Sequence, residues 1–275
     1  MYSALSAGAI GVSVSDLASH LAAAKVGGFA GIELGGKALQ EAAEAPSLLT
    51  DAGIKAAGFG LPVDFRQDTP PSDESLENLR KSAAAAASIG LDRCATWILP
   101  MSDTRTFDEN FEFHVSRLAP LAAILAEEGV RFGLEFVGTP SLRAAGKYEF
   151  VYDLAGMLEL AAAVGPNAGL LLDCWHWHTS EGTVEDIEAV PESKIVYVHV
   201  NDAPEGVALA DLQDNDRRLP LETGVIDLAG FIGALRNIGY EGPVVAEPFS
   251  SRLKGLESDE ARLKETGDSL RKLLV

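Results

Sequence analysis

Eight short apolar runs alternate with helix-like stretches from one end of the chain to the other. The strand candidates are residues 4–11, 31–35, 54–63, 93–99, 131–135, 169–173, 195–200 and 243–247. Runs this uniformly apolar read as parallel strands buried on both faces. Helical stretches lie between them. Ser15 and Asp16 can cap one running through Leu17, Leu21 and Val26. Others cover residues 38–51, 72–88, 108–128 with Pro120 as a kink, 152–164 and 184–188. Asp227 can cap another, and residues 258–274 form a closing helix. Eight sequential strands with right-handed crossovers close most economically as an α/β (β/α)8, or TIM, barrel, a single domain over residues 1–275. A doubly wound open sheet would need a phosphate-cradling glycine loop after an early strand, and the sequence carries no such fingerprint.

Composition narrows the functional classes. A chain of 275 residues with 47% hydrophobic content suffices for one large core. No apolar run approaches the roughly 20 residues of a membrane span. The N-terminal Met1-Tyr-Ser-Ala-Leu-Ser lacks the basic segment of a secretory signal. Cys94 and Cys174 form no disulfide framework and read as buried thiols. The net charge of −19 repels phosphate backbones and anionic lipid, which counts against nucleic acid or membrane partners. A cytoplasmic enzyme acting on a small molecule is the expectation.

The chemistry gathers at the strand ends. Glu135 closes Arg131-Phe-Gly-Leu-Glu, Asp173 closes Gly169-Leu-Leu-Leu-Asp, His199 sits in Ile195-Val-Tyr-Val-His, and Glu247 closes Val244-Val-Ala-Glu. They stand 38, 26 and 48 residues apart, close to one βα unit each time. In a barrel, the ends of strands five to eight lie side by side on the catalytic face. Two glutamates, one aspartate and one histidine then supply oxygen and nitrogen ligands for one divalent metal. His176, three residues beyond Asp173, is a substrate contact in this reading, while His178 is packing or surface. Trp175 and Trp177 suit either a pocket wall or barrel–helix packing. Arg217 and Arg218 are cations on the loop before the eighth strand. Glu33 and Trp97 face the same mouth, and Lys147, on the loop after the fifth strand, is a further candidate. His20 and His114 fall within helices and read as structural.

On these residues the whole chain resembles the xylose-isomerase-like barrels, the sugar phosphate isomerase/epimerase superfamily, most strongly from Gly133 to Phe249. The series Glu135, Asp173-x-x-His176, His199, Arg217-x-x-Pro220, Glu247 resembles the ketohexose 3-epimerases. The resemblance implies one divalent ion (Mn, Co, Mg or Zn) on Glu135, Asp173, His199 and Glu247. It implies Glu135 and Glu247 as the acid/base pair, with His176 and Arg217 on substrate hydroxyls. The chain departs from those epimerases at Ser141, where they carry a second glutamate. The family also holds isomerases, dehydratases, enzymes that cleave 3-keto glycosides, and an endonuclease branch that uses several more histidines to hold three metals, for which five histidines and a net charge of −19 make this chain a poor candidate.

Proton abstraction beside a carbonyl is the shared chemistry. A divalent ion stabilises an enediolate and a carboxylate takes the α-proton. Returning the proton gives an isomer or epimer of a keto sugar or sugar phosphate, the leading expectation. Expelling a β-group makes the same site a lyase, and a non-catalytic sugar-binding barrel is a third reading. A homo-oligomer is compatible with the chain, and no segment reads as a dedicated interface.

Overall fold

The computed structural model describes residues 1–275 and contains a closed barrel of eight parallel strands, each hydrogen-bonded to its sequence neighbours, with the last pairing the first. The strands are β1 (Tyr2–Leu5), β2 (Gly31–Glu33), β3 (Lys55–Gly60), β4 (Arg93–Ile98), β5 (Arg131–Phe136), β6 (Ala168–Asp173), β7 (Ile195–Val200) and β8 (Pro243–Ala246). The helical layer matches the expected alternation, from Leu17–Gly27, capped by the Asp16 carboxylate, to Asp259–Leu274, capped by Ser258.

Several boundaries differ from expectation. The first strand ends at Leu5 rather than Gly11, because Gly8–Ile10 coil into a 3-10 turn. The stretch 38–51 is two helices, Gly36–Glu44 and Ser47–Ala52, broken at Ala45 and Pro46. Pro120 lies inside a continuous helix, Phe107–Glu127. A two-stranded antiparallel sheet, Met101–Ser102 with Tyr148–Glu149, flanks the mouth and was not legible as strand. No helix is long and apolar enough to cross a membrane.

Strand parity sets the site. Side chains alternate between the barrel interior and the surrounding helices. On β5 to β8 the outward set, including Phe132, Leu134, Leu170, Leu172, Val198 and Val244, is buried in the large core against the helices. The inward set begins with a small cluster, Ala4, Ala57, Leu171, Tyr197 and Val245. Two residues further along β6, β7 and β8, the same parity delivers Asp173, His199 and Glu247 to the carboxyl-terminal mouth. On β5 the inward series is Arg131, Gly133, Glu135.

Candidate active site

Glu135, Asp173, His199 and Glu247 offer ligand atoms that all lie within 4.8 Å of one another. Asp173 pairs in register with His199, and Glu135 with Trp97. Glu247 extends β8 by one residue, its N–H donating to the Val200 carbonyl (3.1 Å). His199 Nδ1 faces Glu247 Oε2 at 3.4 Å and Glu135 Oε1 at 3.6 Å, while Nε2 faces Glu33 Oε1 at 3.8 Å. Glu135 Oε1 and both His199 ring nitrogens are buried with no hydrogen-bond partner. Buried polar atoms are nearly always paired, so convergent unpaired oxygen and nitrogen donors fit a divalent cation.

Electrostatics follow from this crowding. Burial pushes the Glu135 carboxyl up to about 8, with Glu247 and Asp173 adding to the rise and His199 opposing it. Burial also disfavours the His199 cation, but Glu247, Glu135 and Glu33 outweigh that and hold its pKa well above the usual histidine value. For Asp173 burial is outweighed by Arg217, His176 and His199, so its carboxyl titrates below the ordinary range.

Arg217, 1% exposed, joins the carboxylates. Its Nη1 donates to Asp173 Oδ2 (2.7 Å) and approaches Glu247 Oε2 (3.4 Å), and Nη2 donates to Asp214 Oδ1 (2.9 Å). The other Asp173 oxygen accepts from Trp175 N–H (2.8 Å) and Asn201 Nδ2 (2.9 Å). The expected loop after β6 is a short helix, Cys174–Thr179, with Asp173 as its cap. That helix turns His176 towards Arg217 and Asp214. Gly138 N–H donates to His176 Nδ1 (3.2 Å), which favours the tautomer with its proton on Nε2, the nitrogen that faces Asp214 Oδ1 at 3.7 Å. A side chain at Gly138 would sit 2.3 Å from the His176 carbonyl, so only glycine makes this approach.

The structure places the remaining candidates unequally. Trp97 is 45% exposed at the mouth and lines two cavities that meet at Glu135 and Glu247. One cavity, about 180 Å³, runs down to Gly58, Thr96 and Tyr197 beside Glu33. The other, about 380 Å³, lies over His176, Asp214 and Arg217, under Val137, Leu142 and Phe249. Trp175 is fully buried and donates to Thr139, and Trp177 packs on Phe231; neither walls these two cavities. His178 is half-buried. Arg218 pairs with Asp216 at 3.6 Å. Lys147 lies apart from the cluster. Its backbone N–H is tied to Asp103, its amine lies over the Tyr148 ring, it is exposed, and it lines neither cavity.

Sequence reasoning missed Asp214, Tyr197 and Phe249. Asp214 stands three residues before Arg217, a spacing that signals pairing in hindsight. Tyr197 shares the inward parity of His199. Nothing local announces Phe249, whose φ of 44° places a bulky residue in the left-handed region beside Arg217.

The sequence profile of the xylose isomerase-like TIM barrel matches residues 21–273. The chain belongs to that family. Within it, an inosose isomerase from Halalkalibacterium halodurans is 34% identical over 148 residues, 54% of this chain and 49% of the relative. The chain thus spans about half the length of the curated relatives it matches. More distant relatives bear the names L-ribulose 3-epimerase and 3-dehydroshikimate dehydratase. A xylose isomerase domain protein from Alicyclobacillus acidocaldarius superimposes with a TM-score of 0.87 at 28% identity, covering 100% of this chain and 98% of that one. The IOLI protein, solved with a binding zinc atom, gives 0.78 at 23% identity over 100% and 98% of the two chains, a likeness of fold.

Proposed function

We propose that this chain is a divalent-metal-dependent isomerase or epimerase of a keto sugar or a related cyclic polyol ketone, phosphorylated or not. The convergence of Glu135, Asp173, His199 and Glu247, with buried unpaired donors among them, carries the reading. The names of the inosose isomerase and ketose epimerase relatives support the substrate class. The four side chains would hold one Mn, Co, Mg or Zn ion, which when bound polarises a carbonyl and offsets the negative charge created beside it.

The protein's own groups do the rest. Glu135 and Glu247 enter from β5 and the end of β8, the outer two of four adjacent strands, an arrangement that supports assigning them to opposite sides of a bound ketone. One carboxylate takes the α-proton and the other returns a proton to the opposite face. His176 Nε2–H and the Arg217 guanidinium present donors to substrate oxygens, and Trp97 offers an aromatic face to sugar C–H groups.

The test is purified protein loaded with zinc or manganese and offered inosose and keto sugars in deuterated water. Solvent deuterium in a recovered isomer or epimer is the expected result. An unsaturated ketone absorbance would instead make the enzyme a lyase. No bound metal after reloading, with no exchange, would overturn the reading in favour of a binding barrel.

A further inference from the structure

Glu33 is a fifth carboxylate at this mouth, and its surroundings differ from those of the other four. The ladder between β2 and β3 shifts register between Ile32 and Glu33, so that Glu33 lies opposite Gly58. Such irregularities re-aim a side chain beside a site. Here the result is a carboxylate with one oxygen 3.8 Å from His199 Nε2, on the far side of the ring from Glu135 and Glu247. Ser6 and Tyr197 face the same carboxylate. The Tyr197 ring meets His199 edge-on at 5.5 Å and fits only over a glycine, since a side chain at Gly58 would lie 2.7 Å from it. The imidazole is therefore confined in plane, with one nitrogen towards the cluster and the other towards Glu33.

We propose that Glu33 is a positioning residue. It accepts a hydrogen bond from His199 Nε2–H and so presents Nδ1 to Glu135 and Glu247. A shift of under an ångström closes the gap to hydrogen-bond range. A carboxylate on the distal nitrogen fixes the tautomer and orientation of a metal-binding imidazole and raises its basicity. Glu33 then acts through His199, and substrate contacts fall to His176, Arg217 and Trp97. The value of the pairing to metal binding rests on the metal site proposed above, but the pairing itself does not.

The test uses the whole chain as Glu33→Leu and Glu33→Gln, with long-range proton–nitrogen NMR of the imidazoles and zinc titration. Five histidines make the spectrum assignable. The parent should show a slowly exchanging proton on His199 Nε2 without zinc, and should keep it when zinc shifts the Nδ1 resonance. Glu33→Leu should lose that proton and bind zinc ~10- to 100-fold more weakly. Glu33→Gln keeps an acceptor oxygen and should restore both. Loss of the proton in Glu33→Leu from a parent that takes no zinc would sink the metal reading and leave the orienting role standing. A parent without the protected proton, or a Glu33→Leu protein that keeps both proton and affinity, would overturn the proposal.

Discussion

Arg217 holds two kinds of partner with one guanidinium, Asp173 of the proposed metal site and Asp214 of the substrate side. Removing one member of a buried ion pair leaves the other charge unpaired, at about 3–5 kcal/mol. Arg217→Ala should therefore raise KM and also lower the melting temperature in chelator. Zinc should recover part of the lost stability, because a cation at the cluster again neutralises Asp173. Equal melting losses with and without zinc would assign the arginine a purely structural role. The two glutamates make a second residue-scale prediction. Glu135→Gln and Glu247→Gln each remove a base but keep an amide oxygen as a weak ligand, so turnover should fall ~100- to 10,000-fold. One variant should still wash a substrate α-proton into solvent without forming product. Turnover within a few-fold of the parent in both would leave these side chains as ligands alone.

The helix Phe107–Glu127 makes its own prediction through His114. That imidazole is buried, donates its Nδ1–H to the Asn110 carbonyl (2.8 Å) and stacks on Phe150 at 4.9 Å. Burial lowers its pKa to about 4; the Asn110 carbonyl opposes the shift, and Arg66 and Arg105 add to it. The unfolded chain gains this proton near pH 6.5, the folded chain only near 4. The stabilisation is thus full above pH 6.5 and is lost as pH falls towards 4, on the order of 3 kcal/mol. His114→Phe, which preserves the stacking, should flatten melting temperature against pH across that window, and an unchanged slope would refute the assignment. Elements of this kind were legible because long amphipathic helices and apolar strands carry strong periodic signals. Glu135, Asp173, His199 and Glu247 were legible for the same reason, standing at the ends of such strands. Lys147 and the Trp175–Trp177 segment were not. Their placement depends on a two-residue strand and a short helix, set by tertiary contacts such as Trp175 to Thr139 rather than by local propensity.

Barrel closure makes the molecule respond as a unit. The first strand pairs with the last, Tyr2 opposite Pro243, and helix Leu17–Gly27 packs against Asp259–Leu274. The proposed ligands come from four adjacent strands, from Arg131 onward, so an ion there ties together the part of the barrel that the ends must close upon. Binding to the folded state alone stabilises by about 2.7 kcal/mol when free metal is 100 times its dissociation constant. For a chain of this size that is ~5 °C in melting temperature. Zinc or manganese should therefore raise the melting temperature of chelator-treated protein by about that much, and the rise should grow with the logarithm of metal concentration. With a net charge of −19, any cation also relieves general repulsion. Two controls separate the effects. Sodium chloride at equal ionic strength should screen without the logarithmic rise at micromolar metal. His199→Gln, which leaves the surface charge intact, should lose the rise while keeping the salt response. If parent and His199→Gln shift equally with zinc, the stabilisation belongs to the acidic surface, and the cluster at the mouth holds no ion.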